Sequence, residues 1–200
     1  MKKFLVTLFL SSLFSLAYAE DSSYSNVERE EREQGYFTDS PLGFYPPATH
    51  FIAEISPYTD TIRLEDGSLW RTNSSHRDEL LRWAANDMIV ISQNTSWFSN
   101  FRFRLTNRTT QSYVHAEISL GPVLGGAYTH KAIAVDPFNG QIILQNGSRW
   151  EIAYADSSTF AKWLINDTIM IGMNRSWFST GDFILIDVES NSFVRANLIQ

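Results

Sequence analysis

The chain has 200 residues, 44% apolar and 19% charged, with a formal net charge of −6 and no cysteine. Tryptophan, tyrosine and phenylalanine supply 14% of it. This composition excludes a disordered chain, and the length allows one ordinary domain or two small ones.

The first predicted element is an export signal. Lys2 and Lys3 precede an apolar run from Phe4 to Leu16, and Ala17-Tyr18-Ala19 is a small-x-small cleavage motif. Residues 1–19 read as a signal peptide cut after Ala19, because a membrane anchor needs about 20 apolar residues and different flanks. The Met-Lys-Lys start and short apolar core point to a bacterial chain, periplasmic or secreted. With no cysteine, neither a disulfide nor a cysteine-linked lipid is available, so each domain must hold by burial alone. No later segment is long and apolar enough to predict a membrane span.

Residues 20–47 form an acidic arm, expected to be partly extended or flexible. It carries seven acids and two arginines. Tyr36, Phe37, Phe44 and Tyr45 lie among Pro41, Pro46 and Pro47. Signal cleavage leaves a charge of −8, of which the arm holds −5. The rest of the chain is nearly neutral and shows no basic patch, so nucleic acid is not an expected partner.

The body repeats itself. Shifted by 80, residues 49–120 lie over 129–200 without a gap, with 23 identities in 72 positions. Thr49-His50 meets Thr129-His130, and Gly67-Ser68-x-Trp70 meets Gly147-Ser148-x-Trp150. Trp83-x-x-Asn86-Asp87 meets Trp163-x-x-Asn166-Asp167, and Ser96-Trp97-Phe98-Ser99 meets Ser176-Trp177-Phe178-Ser179. All six tryptophans fall into matched pairs. The expected organisation is a first β repeat over 48–120, a Gly/Pro linker over 121–127 and a second β repeat over 128–200. A unit this short has a marginal core, so the repeats are expected to pack on each other.

Each unit reads as β structure. Thr61 to Leu64 and Ser68 to Thr72 flank an Asp66-Gly67 turn, which becomes Asn146-Gly147 in the second unit; both dipeptides favour a tight hairpin. Arg77 to Arg82 suits one helical turn. Ile89-x-Ile91, Phe103-x-Leu105 and Tyr113 to Ile118 alternate as half-buried strands do. The fold class is all-β: two tandem copies of a small five- to six-stranded barrel or sandwich.

The aliphatic-x-Asp-Gly-Ser-x-Trp hairpin at Leu64 to Trp70, followed by Trp83-x-x-Asn86-Asp87 and Phe103-x-Leu105-x-Asn107, resembles a module of uncharacterised exported bacterial proteins. Asn86 and Asn166 stand where that pattern has glycine. In the second copy Asn146 replaces the aspartate and Asp187 replaces the asparagine. The resemblance implies fold and export, and carries no activity or catalytic residue.

No reactive constellation recurs. His50 and His130 lack a second ligand at metal spacing and read as bonded to backbone. Asp87 and Asp167 read as turn-bonding side chains. Ser68, Ser148, Ser96 and Ser176 sit in no nucleophile elbow. Neither metal nor cofactor is expected. Trp70, Trp83, Trp150 and Trp163 suit a core. Trp97-Phe98 and Trp177-Phe178 differ, since neighbours on a strand face opposite sides and both cannot enter one small core. These four residues are the candidate ligand-binding set, their alternative being the interface between repeats or a loop over a barrel end. The expected function is that of an exported non-catalytic protein acting by binding or envelope assembly, with cell-wall glycan or an envelope protein as partner. One alternative is a glycan- or cell-wall-binding module using the Trp-Phe pairs. A second is an enzyme with its site between the repeats, pairing a histidine of one with an aspartate of the other.

Overall fold

The structure is a computed structural model that describes residues 48–176 and 180–199. The signal peptide and the acidic arm lie outside the described residues, as do Trp177 and Phe178. No helix among the described residues is long and apolar enough to cross a membrane.

The described residues are all-β, with twelve strands among them. The first six are β1 (Thr49–Ser56), β2 (Thr61–Leu64), β3 (Leu69–Thr72), β4 (Met88–Gln93), β5 (Phe103–Asn107) and β6 (Ser112–Leu120). They pair in the order β1-β2-β3-β6-β5-β4, and β4 returns to β1 through Thr49↔Val90, closing a six-stranded barrel. The other six are β7 (Thr129–Asp136), β8 (Gln141–Leu144), β9 (Arg149–Ile152), β10 (Thr168–Met173), β11 (Phe183–Asp187) and β12 (Ser192–Leu198). They pair as β10-β11-β12-β9-β8-β7, with β10 also on β7 through Met170↔Thr129. A bulge interrupts β1 between Ile52 and Glu54 and β7 between Ala132 and Ala134.

Local chemistry places these strands. Gly67 and Gly147 take φ of +82° and +86° in the β2–β3 and β8–β9 turns, a conformation that Asp-Gly and Asn-Gly sequences favour. Asn86 and Asn166 take φ of +70° and +73°, which asparagine tolerates better than other side chains. Asp87 and Asp167 then hold their turns by accepting from the backbone N–H of Ala84 at 2.8 Å and of Leu164 at 2.6 Å. The segment before Trp83 is a 3-10 turn over Ser74–His76 and one α turn over Arg77–Leu80.

The repeated serines serve the tryptophans. Trp70 and Trp150 are buried, and their indole N–H groups donate to Ser68 Oγ at 3.0 Å and Ser148 Oγ at 2.8 Å. Trp83 and Trp163 donate to Ser112 Oγ at 2.8 Å and Ser192 Oγ at 2.9 Å. A large apolar ring is thereby buried without leaving its N–H unsatisfied.

The two sets of strands meet at β4 and β10, which run parallel with Ser92 opposite Met173. Paired residues on neighbouring strands point to one face. Met173 packs on the second core with Ile169 and Ile171, whereas Ile89 and Ile91 lie in the first. The first core is therefore on one face of the continuous sheet and the second core on the other. Met170, Ile184 and Ile186 turn away from the second core and join the first. At the seam the backbones nearly touch: a Cβ on Gly172 would meet the carbonyl oxygen of Ile91 at 2.5 Å.

Candidate functional site

The β4–β5 loop is closed at its base by one side chain. Asn94 Oδ1 accepts from Ser96 N–H at 2.9 Å, and its Nδ2 donates to the Phe101 carbonyl at 2.7 Å. The Asn94 backbone N–H also donates to the Arg102 carbonyl, at 2.7 Å. Asn174 repeats this at the base of the β10–β11 loop, with Ser176 N–H at 2.9 Å and the Gly181 carbonyl at 2.6 Å. The two bases are tied together, because Gln93 Nε2 donates to Asn174 Oδ1. Since β4 and β10 are parallel, both loops leave the sheet from the same end.

The first loop lifts its rings clear of the fold. Trp97 is 96% exposed and Phe98 102% exposed, on a turn and not on a strand. The strand geometry expected for this pair is corrected: Asn94 bends the chain out of β4 before the rings are reached, so neither faces a core. The sequence from Asn94 to Phe101 carries no charge, and that from Asn174 to Gly181 carries only Arg175.

The two matched histidines differ. His50 is fully buried. Its Nδ1 lies 3.1 Å from Glu65 Oε1, and its Nε2 lies 3.1 Å from the carbonyl of Ile171 on β10. With an acceptor on each nitrogen, the His50–Glu65 pair holds one shared proton beyond the neutral imidazole and the carboxylate. Burial drags the His50 pKa down, but the Glu65 hydrogen bond and charge, the Ile171 carbonyl and Asp66 together set it above the ordinary value. Burial pushes Glu65 up, and His50 with the Phe51 N–H brings it net below the usual carboxylate range. His130 Nε2 instead lies 3.0 Å from the Ala127 carbonyl and 3.1 Å from Asn146 Nδ2, and in any one tautomer it bonds one of the two. The carboxylate beside His50 therefore comes from its own set of strands, and it is a glutamate.

The Asp66 turn is also part of the junction. Asp66 is buried, accepts from Ser68 N–H at 2.9 Å, and takes the Thr129 hydroxyl at 2.7 Å on its other oxygen. Its carbonyl accepts from Val123 and Leu124 in the linker at 3.0 and 2.9 Å. The corresponding Asn146 turn is exposed.

Asp167, Asp187 and Glu189 converge, with carboxylate oxygens within 4.8 Å of one another. The first six strands place Asp87, Asn107 and Thr109 at these positions, and there Asn107 Nδ2 donates to Asp87 Oδ2 at 2.7 Å. At Asp187 the donor is gone. Burial raises its pKa, its bonds to Ser190 and Glu189 N–H oppose that, and the Asp167 charge adds to the rise.

No family model matches the chain, and neither the curated proteins nor the solved structures yield a match.

Proposed function

We propose that the chain is an exported, non-catalytic binding or envelope-assembly protein, periplasmic or secreted. In this reading two tandem copies of a six-stranded barrel serve as a scaffold for the Trp-Phe loops. The tandem reading draws on the gapless sequence repeat and on strand pairings that recur at the same offset. The observation that carries the function is the loop tip: Trp97 and Phe98 are offered to solvent from a base fixed by Asn94. Large apolar rings held out by a braced loop are costly to leave in water and are characteristic of a contact surface. The matching Asn174 base leaves the sheet from the same end as the Asn94 base, because β4 and β10 are parallel, which favours joint use of the two segments.

A glycan or cell-wall partner is the second reading. It is favoured by the lack of charge around Trp97, since a flat aromatic face flanked by asparagine, serine and threonine suits an uncharged sugar ring. The enzyme reading draws no support from His50, which is sealed from solvent and already bonded on both nitrogens.

Pull-down of residues 20–200 on insoluble peptidoglycan and a panel of polysaccharides tests this. The expected result is retention that is lost in a Trp97→Ala/Trp177→Ala double variant whose circular dichroism is unchanged. Retention by that folded variant removes the loops from the function. Failure to bind any of these materials removes the glycan reading.

A further inference from the structure

The outer face of the β5–β6 ladder carries a cluster that β11–β12 lacks. Arg104 and His115 are direct partners across β5 and β6, and Tyr113 shares their face two residues before His115. His76, from the 3-10 turn, completes the group. Its ring centroid lies 5.0 Å from that of His115, nearly perpendicular to it, and 5.9 Å from Tyr113. The Arg104 guanidinium sits over the Tyr113 ring at 3.7 Å. Both imidazoles are partly exposed, and neither has a hydrogen-bond partner among the described residues.

A carboxylate stands beside His76. Glu79 follows His76 by three residues, and its charge acts on that ring. Arg82 holds one of its oxygens, while Oε2 is buried without a partner. A buried carboxylate oxygen left unpaired is expensive.

The same three positions in the second set of strands are Asp156, Thr159 and Arg195. There the site is closed. Arg195 Nε and Nη2 each donate to Asp156 at 2.7 Å, and the Arg195 backbone N–H donates to it at 2.8 Å. A two-pronged arginine–carboxylate bond is the strong way to fasten the turn to β12. The first set of strands forgoes it and keeps two imidazoles and a carboxylate with unused donor atoms.

We propose that His76 and His115, with Glu79, bind a borderline transition-metal ion of the zinc or copper class. Imidazole nitrogen is a donor for these ions, whereas calcium and magnesium want oxygen alone. A metal takes only the unprotonated imidazole. Glu79 stands outside a closed ligand set with the two histidines, so the two imidazoles are the direct ligands, water completes the shell and the Glu79 charge supports the ion from outside. Arg104 is the opposing charge, and it holds the affinity below that of a closed four-ligand site.

Calorimetric titration of residues 20–200 with zinc chloride tests this, with calcium chloride beside it. One zinc per chain is expected near pH 7.5, lost near about pH 5.5 as the imidazoles protonate. His76→Ala or His115→Ala each weakens it by roughly tenfold or more. The Asp187→Asn variant binds zinc as the wild type does. Both histidines are partly exposed, so circular dichroism of the variants should not change. An absence of zinc binding overturns the proposal. So does zinc binding that persists in a His76→Ala/His115→Ala double variant, or that disappears with Asp187→Asn.

Discussion

Strands β1 to β6 and β7 to β12 pair in a like order, and side chains at matched positions have been put to different uses. His50 and His130 stand at the same point of that order, yet one is sealed at the seam and bridges to Ile171 while the other bonds its own loop near the surface. Asp66 and Asn146 show the same divergence: the aspartate takes a hydroxyl from β7, and the asparagine faces solvent. The scaffold sets where a side chain stands, and the neighbour across the seam decides what it does.

The sharpest way to break this comparison is at the seam. Gly172→Val places side-chain carbons where the Ile91 carbonyl lies, and backbone cannot give way as a flexible side chain does. We expect a loss of about 3 kcal/mol in urea unfolding. The matching exchange on β4, Ser92→Gly, should cost about 1 kcal/mol or less, since Ser92 Oγ makes only a 3.4 Å bond to the Arg104 carbonyl.

The histidines come next. His50→Ala takes the imidazole from Glu65, leaving it only the Phe51 N–H, and should cost about 2 kcal/mol, against less than about 0.5 for His130→Ala, read from urea midpoints. The pH dependence has a definite sign. His50 is raised, so its contribution is full below the unfolded histidine value and is lost as pH rises through the folded one. Glu65 is lowered, so its contribution is full above the unfolded glutamate value and is lost as pH falls through the folded one. The advantage of wild type over His50→Ala should therefore peak in mildly acidic solution and shrink on either side. A flat profile would contradict the shared-proton pair.

A smaller effect of opposite sign is expected at the acidic group. Asp187 is raised by burial and by Asp167, so it destabilises the fold as pH climbs through its folded value. Asp187→Asn restores the donor that Asn107 supplies to Asp87 and should stabilise by about 1 kcal/mol at neutral pH. The gain should vanish in strong acid, which thermal melts across pH would show. Smallest of all is Trp97→Ala, whose ring touches no core: its melting temperature should stay with that of wild type, corresponding to less than about 0.5 kcal/mol.

Features set by neighbours in the chain were legible beforehand. The Gly67, Gly147, Asn86 and Asn166 turns follow from residue chemistry, and Ile89-x-Ile91 shows its buried face by alternation. Trp97-Phe98 was legible as a surface candidate, but its place on a turn was not, because Asn94 acts through bonds to Phe101 and Arg102 that no spacing reveals. The bridge from His50 to Ile171 depends on which strands meet at the seam, and that is a long-range choice. The exchange of Asn107 for Asp187 was visible as a letter; its meaning needed Asp167 beside it.

The parallel seam has one more consequence. Rotating a module by a half-turn about an axis along β4 keeps the strand direction and reverses the face, which is the relation between the two cores. This is how two separate identical molecules pair about a two-fold axis. On the tandem-copy reading, the chain is a homodimer fused end to end. In a homodimer every substitution appears twice, so a residue good on one side must be tolerable on the other. Fusion removes that constraint. Gly172 at the position matching Ser92, and the His76–His115 pair at the positions matching the Asp156–Arg195 bridge, are changes that only a dimer written as one polypeptide can hold separately.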